Sequence, residues 1–540
     1  MALLWAGRRG LKPARGGLIA LALVELWLAG RALPFNQATA PLALSLRNAP
    51  ATLLAATADQ PPAGRDRFLS MSDIRFDPGD LAELRALQAD RLGPAAVERL
   101  VRAAKQVEVI APNLPMLFDL PAIDGYDGGM LPLKRYVELQ SLFLPPEKLL
   151  PDGRLREQLR QIPDGRLLDL TGVRYVITDK QNDLWVDDVY YDLEQAVLLR
   201  PDETLTLDLA DYPPFSATAL GVVSYLAHPL DDGWPVAYIT LTDVHDIGFI
   251  LGMGAPGDTA WYKETRTGPG MTVARQWPDW MGEGHDYLGI HSFDTMECRG
   301  LLKLLPQVGA PIECPRTVRT LKIKALPNPG APLVIRGLSL IDERTGAHQS
   351  ITLSPRGDLR RIHSGDVKIY ERTTAPGRAW LVHGVEPVAD DAAALTRLAD
   401  PAFDPRATVA ITGDVPAQPA GQATAAEGVI VLAYEAERVV LRVTCDTPAT
   451  LVLADAAYPG WHVTVDAAPA PILLANLMFR GVTLGPGVHE VTFTYRPAIW
   501  RWGVVISLGT LVALLIGFCA TLCMRRKYPR HEAPGTSKRP

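Results

Sequence analysis

Cysteine is scarce in this chain, with five in 540 residues. Two of them, Cys519 and Cys523, lie one helical turn apart in an apolar run, and no CxxC or Cys/His spacing is present. A disulfide lattice and a zinc module are therefore not expected. Positive charge is not in excess either: 54 Lys and Arg stand against 60 Asp and Glu, a net charge of -6, which argues against a nucleic-acid partner. No G-x-S-x-G, no P-loop and no repeat of fixed period occurs, and Gly252 and Gly254 lack the strand–turn–helix context of a dinucleotide site. No cofactor and no metal are expected. At 48% hydrophobic and 21% charged, the chain has the composition of ordinary globular protein.

Two stretches stand out from that background. Gly503 to Cys523 is uncharged and long enough to cross a bilayer as a helix. Trp500 and Trp502 precede it, and Arg525, Arg526, Lys527 and Arg530 follow. The basic side marks the cytoplasm, which puts everything before Trp500 outside. Gly17 to Gly30 is a shorter apolar run that contains Glu25 and follows Arg8, Arg9, Lys12 and Arg15. It reads either as a signal peptide or as a membrane helix with a snorkelling Arg31, and the helix is preferred. Met1 to Ala6 is also apolar and reads as the stub of an earlier membrane helix.

The expected organisation is a membrane-anchored α+β chain. A basic cytoplasmic segment, 1–15, is followed by a transmembrane helix or signal anchor, 16–35. An α/β-like extracytoplasmic domain, 36–190, comes next. Two β-sandwich, jelly-roll-like domains, 191–365 and 366–500, lead into a transmembrane helix, 501–524, and a basic tail, 525–540. Helical spacing is read at 80–92, 95–105, 131–144, 155–161 and 391–398, a short helix, a Gly172 break and a buried strand over 167–178, and strands at 107–110, 367–370 and through most of 429–495. Abundant Pro (46) and Gly (45) suit the many turns this requires.

A series of blocks carries a family resemblance. Tyr458, Pro459, Gly460 and Trp461 are followed by Leu474 to Arg480, then by Gly485, Gly487 and His489, and by Phe493, Tyr495, Arg496 and Pro497 at the membrane. Asp124, Gly125, Tyr126 and Asp127 with Arg135 and Tyr136, Leu168 to Tyr175, and Val367 to Tyr370 with Arg378 and Ala379 are further blocks in the same order. The set resembles the bacterial YfhO-like membrane proteins from about residue 17 to residue 524, although Arg372 stands where that family commonly has Asn. The resemblance implies a relative of the GT-C glycosyltransferases, which use polyprenyl-linked sugars on the outer face of the membrane. Their catalytic acid lies in an early loop among many helices that this chain lacks, so no catalytic residue is carried over. The expected role is the extracytoplasmic part of such a system, whose membrane-embedded catalytic half is either a separate multispanning subunit or lost. The alternative is a non-enzymatic carbohydrate-binding or scaffold module of the envelope.

Candidate ligand residues are Asp124, Tyr126, Asp127 and Arg135, a glycine-flanked set suited to hydroxyls or pyrophosphate, or else to a structural turn with a salt bridge. Tyr458 and Trp461 read as packing residues of a turn, or as an aromatic platform for a sugar or the membrane interface. Trp500, Trp502 and Arg496 are lipid-interface candidates. Cys298 and Cys314 are the close pair that an extracytoplasmic location permits to bond, and Cys445 reads as a buried apolar residue. Asp243, His245, Asp246, Glu283, His285, Asp286, His291 and Asp294 lack metal-binding spacing and read as solvated loops rich in Trp277 and Trp280. The expected partners are the lipid bilayer of the plasma membrane and an envelope glycan or polyprenyl-linked sugar.

Overall fold

A computed structural model describes residues 12–32, 43, 48–72, 81–123, 132–151, 154–242, 247–252, 258–267, 271–292, 316–413, 424 and 426–527. It is mixed α+β, mostly strands in several sheets, with an apolar helix at the C-terminal end.

The first sheet has four strands. Arg67–Ser70 runs parallel to Val173–Thr178, which pairs antiparallel with Lys368–Arg372, followed by Leu359–Ser364. The strand at 368–372 thus returns across almost 200 residues to the N-terminal sheet rather than joining the C-terminal sheets. The helices expected at 80–92 and 95–105 form as Leu81–Ala89 and Pro94–Glu108, the second burying Val97, Leu100, Val101 and Ala104. Two local readings are corrected. The apolar run at 107–110 ends that helix instead of making a strand, with Val107, Val109 and Ile110 turned into the core. The stretch 155–161 is a single turn, because Arg156 is drawn inward and donates to the carbonyls of Ile110 at 2.9 Å and Val109 at 2.7 Å. Those carbonyls belong to the chain leaving the Pro94–Glu108 helix, and a helical 155–161 would carry the guanidinium away from them. Gly172 (φ +65°) makes the break before Val173–Thr178, where a Cβ would lie 2.8 Å from the Gly377 carbonyl.

In the middle of the chain a sheet of Met271–Gln276, His285–Ser292, Ala219–Leu226, Leu333–Asp342 and Ala347–Ile351, with Val197–Leu199 added, faces a sheet of Ile247–Gly252, Pro235–Thr242, Thr320–Ala325 and Thr204–Asp208. Alternate residues meet between them: Leu220 and Val222 from one sheet, Ile239, Leu321 and Ile323 from the other. A second facing pair follows. Its six-stranded sheet includes Ala449–Ala456 and Phe479–Leu484, and its five-stranded sheet includes Arg438–Cys445, Gly487–Tyr495 and Trp461–Val465. Val439, Leu441, Leu451, Val482 and Phe493 fill the space between, each contributing about 1.5–3 kcal/mol by leaving water. Cys445 is buried there, as expected, and its Sγ donates to the Gly485 carbonyl.

The last strand runs directly into the helix Ala498–Lys527. Within it Ala498–Ala520 has a mean hydropathy of 2.4 and no buried residue, and among the described residues it is the one helix long and apolar enough to cross a membrane. The N-terminal helix Lys12–Ala32 exposes Ile19, Leu23, Leu26 and Trp27.

Candidate functional site

The turn at Tyr458 to Trp461 is fixed from below. Gly460 adopts φ +107°, and a Cβ there would lie 2.9 Å from Pro497 Cα, so only glycine lets the turn press against the residue that opens the apolar helix. The Gly460 carbonyl accepts from Arg496 N at 2.7 Å. Trp461 turns inward, its ring 5.3 Å from that of Tyr495 and covered by the Arg480 guanidinium at 3.9 Å. Tyr458 turns outward and is 49% exposed.

Tyr458, Pro459, Ala456, Ala457 and Met478 form one wall of a pocket of about 340 Å³. The opposite wall is Leu133, Lys134, Arg135 and Asp391. Two residues singled out in separate blocks, Arg135 and Tyr458, therefore meet, whereas Trp461 packs inside. Arg135 Nε donates to Asp391 at 2.9 Å. The helices Lys134–Leu139 and Asp391–Ala399 hold this wall by burying Leu139, Ala394 and Leu398 in one core. The lining is mainly apolar with two cations, the Asp391 carboxylate bonded to one of them, and a phenol, which leaves one net positive charge for an amphiphile with an anionic head.

Beneath the pocket lies a closed ionic cluster. Asp455 accepts from Arg378 at 2.7 Å and Arg67 at 3.1 Å, with Arg480 at 3.4 Å, and Tyr434 donates its hydroxyl to it. Burial pushes the Asp455 carboxyl up, but the three guanidiniums outweigh burial and hold it well below the usual range. Arg67 also donates to the carbonyls of Thr171 and Ala454, tying the first sheet to the C-terminal one under Ala456.

A second cluster was not legible in the sequence. Lys368, wholly buried, contacts Asp183 at 2.8 Å, Asp192 at 3.0 Å and Glu194 at 3.6 Å. Arg361 and the Tyr370 hydroxyl also donate to Asp192. Burial raises the Asp192 carboxyl, and Lys368 and Arg361 more than reverse it. Glu194 goes the other way: burial pushes its carboxyl up to about 7, with Lys368 opposing and Asp183 and Asp192 reinforcing.

The remaining candidates are placed as follows. Asp124, Tyr126 and Asp127, the pair Cys298 and Cys314, and Asp243, His245, Asp246 and Asp294 lie outside the described residues. His285, Asp286 and His291 sit on the strand His285–Ser292 rather than on a loop. Asp286 is fully buried and accepts from Arg275 and from Trp277 Nε1 at 2.9 Å, and His291 lies 3.3 Å from Asp258. Among the described residues no three metal-ligating side chains converge. Arg496, Trp500 and Trp502 are exposed where the helix begins.

The turn, the covered Trp461 and the start of the helix all fall in one segment that can be compared with known proteins. Residues 418–507 match the family of the bacterial membrane protein YfhO. The YfhO match ends within the Ala498–Ala520 helix, and both point to a membrane protein. No curated protein matches the chain. Among solved structures, the arabinofuranosyltransferase AftD from Mycobacteria is similar at 11% identity over 62% of this chain and 24% of that one, with a TM-score of 0.16. A mutant of it gives 12%, 67%, 27% and 0.15. The chain thus spans about a quarter of those structures, and scores this low carry no argument about fold or activity.

Proposed function

We propose that this chain is the extracytoplasmic part of a YfhO-like glycosyltransferase-type system of the cell envelope, anchored in the plasma membrane with short cytoplasmic ends. In this reading the pocket between Arg135 and Tyr458 holds a polyprenyl-linked sugar, and a multispanning partner supplies the catalytic acid. The observation that carries it is the pocket's position: its wall is the turn that rests on Pro497, one residue before the apolar helix starts. A polyprenyl chain in the bilayer then places its phosphate beside Lys134 and Arg135 and its first sugar against the Tyr458 ring. The exposed Trp500 and Trp502 lie at headgroup depth in this arrangement.

The test is binding of a long-chain polyprenyl phosphate to the full chain in lipid nanodiscs, followed by native mass spectrometry. Arg135→Ala is expected to weaken binding by about tenfold, since a charge-assisted contact is worth about 1.5–3 kcal/mol. Retention no better than that of a bilayer phospholipid, or indifference to both Arg135→Ala and Tyr458→Ala, overturns the reading.

A second reading, a non-enzymatic carbohydrate-binding module, is favoured by one groove. Tyr225, Tyr262, Trp277 and Leu198 line a recess of about 650 Å³, in which the Tyr262 and Trp277 rings stack at 5.0 Å and 5°. Trp277 is fixed by its bond to buried Asp286. Soluble envelope glycan bound in a Tyr262-dependent manner, without polyprenyl phosphate binding, would put this reading first.

A further inference from the structure

A cleft of about 670 Å³ opens where the parallel strands Arg67–Ser70 and Val173–Thr178 end, beside the last turn of the helix Pro94–Glu108. Crevices outside the carboxyl ends of parallel strands are a recurrent place for ligands, because side chains from several elements converge there without closing the site. Here the two walls differ in chemistry. The turn at 154–160 brings Arg160 and Arg154, the latter paired with Glu157 at 3.2 Å, and the segment leaving Val173–Thr178 brings Thr178, Asp179, Gln181 and Asn182, with Glu194 alongside.

Two groups in this cleft carry unused bonding capacity. Thr178 is 3% exposed and lines the cleft, and its Oγ1 has no hydrogen-bond partner among the described residues. The Glu194 side chain is 10% exposed, and its nearest cation, Lys368 Nζ, stands at 3.6 Å, beyond hydrogen-bond length, while that ammonium is engaged by Asp183 and Asp192 at 2.8 and 3.0 Å. A buried hydroxyl without a partner, beside a carboxyl held only by a 3.6 Å ion pair to Lys368, leaves bonding capacity for something that enters the cleft. Burial and the neighbouring carboxylates also keep the Glu194 proton close to neutral pH, so the group both donates and accepts.

We propose that this cleft is a binding site for an acidic saccharide, whose phosphate or carboxylate is held by Arg154 and Arg160 and whose hydroxyls are read by Glu194, Thr178, Gln181 and Asn182. It is separate from the Arg135–Tyr458 pocket and does not rest on the reading given to that pocket. Amides, a hydroxyl and a carboxyl facing two guanidiniums match a ring that carries several hydroxyls and one anion. An apolar ligand would leave the Thr178 hydroxyl without a partner.

The experiment is calorimetric titration of the full chain in nanodiscs with glucose 1-phosphate and with glucuronate, against glucose and inorganic phosphate. Saturable binding of one or both acidic sugars is expected, at least tenfold tighter than either control. Preference between the two tells a phosphate source from a uronic-acid source. Arg160→Ala removes an exposed side chain, so the fold is retained, and it should weaken binding about tenfold. Glu194→Gln, of the same shape, should weaken it severalfold, and Tyr458→Ala should leave it unchanged. No saturable binding of either acidic sugar overturns the proposal. So does inorganic phosphate or glucose binding as tightly as the acidic sugars, or binding indifferent to both Arg160→Ala and Glu194→Gln.

Discussion

The two buried ionic clusters solve opposite problems. Around Asp455 three arginines share one carboxylate, and around Lys368 three carboxylates share one lysine with help from Arg361 on Asp192. Guanidinium does not lose its proton in the accessible pH range, so the Asp455 cluster has no way to relieve a missing partner. Carboxylates take up protons, so the Lys368 cluster has an escape, and burial tilts Glu194 toward it. The first arrangement suits a closed joint between two sheets. The second suits the floor of an open cleft, where one group is left free to bond outward.

Removing the shared partner in each cluster puts that contrast to the test. Asp455→Asn should cost the most, about 5 kcal/mol in unfolding free energy, because three guanidiniums remain buried without a counter-charge. Denaturant unfolding of the full chain measures it, and a loss under 1 kcal/mol would show that the joint is wet rather than closed. Lys368→Met should cost about 3 kcal/mol at pH 8 and less at pH 5, where the orphaned carboxylates protonate. Equal costs at the two pH values would break the comparison.

Acid and base should also act in opposite directions on these carboxyls, and the division runs through the Lys368 cluster itself. Asp455 and Asp192 have carboxyls lowered from the usual 3.8, so the stability they contribute is complete above that value and is lost as pH falls below it. Glu194, raised from 4.5 to about 7, contributes stability that is complete below pH 4.5 and is lost as pH rises through 7. The charged groups around it are Lys368, Asp183, Asp192, Asp179 and Arg336. Glu194→Gln should therefore stabilise the protein at pH 8 by about 1–3 kcal/mol and leave it unchanged at pH 4.5. Thermal melts at the two pH values decide, and destabilisation at pH 8 would mean that Glu194 is ionised and satisfied. The smallest effect belongs to the exposed wall of the other pocket: Tyr458→Ala should shift stability by less than about 0.5 kcal/mol. A larger loss would make Tyr458 a packing residue.

Local pattern explains what was legible. The helix Asp391–Ala399 shows its spacing and an Asp390 cap that accepts from Ala393 N, and the strands between 438 and 495 are short runs rich in apolar and β-branched residues. The Pro–Gly pair announced the turn at 458–461, and Arg135 and Tyr458 were picked without any sign that they would meet. Long-range pairing was hidden. Lys368 in a short apolar run reads as a solvent-facing strand residue by alternation, yet it is fully buried because its partners Asp183 and Asp192 arrive from elsewhere in the chain. Glu194 carried no signal at all, since neither its burial nor its neighbours are local properties. The stretch 155–161 misled in the same way: its spacing is helical, but Arg156 serves carbonyls some 45 residues away.

The joint at Gly460, Arg496 and Pro497 has a mechanical consequence. The closing strand, the turn that walls the pocket and the first turn of the apolar helix meet without a flexible spacer between them. The helix is therefore a shaft and the pocket a fitting mounted on its end. Turning the shaft within the bilayer swings the mouth of the pocket by the same angle, so whatever packs against the helix inside the membrane also decides the direction in which the pocket faces.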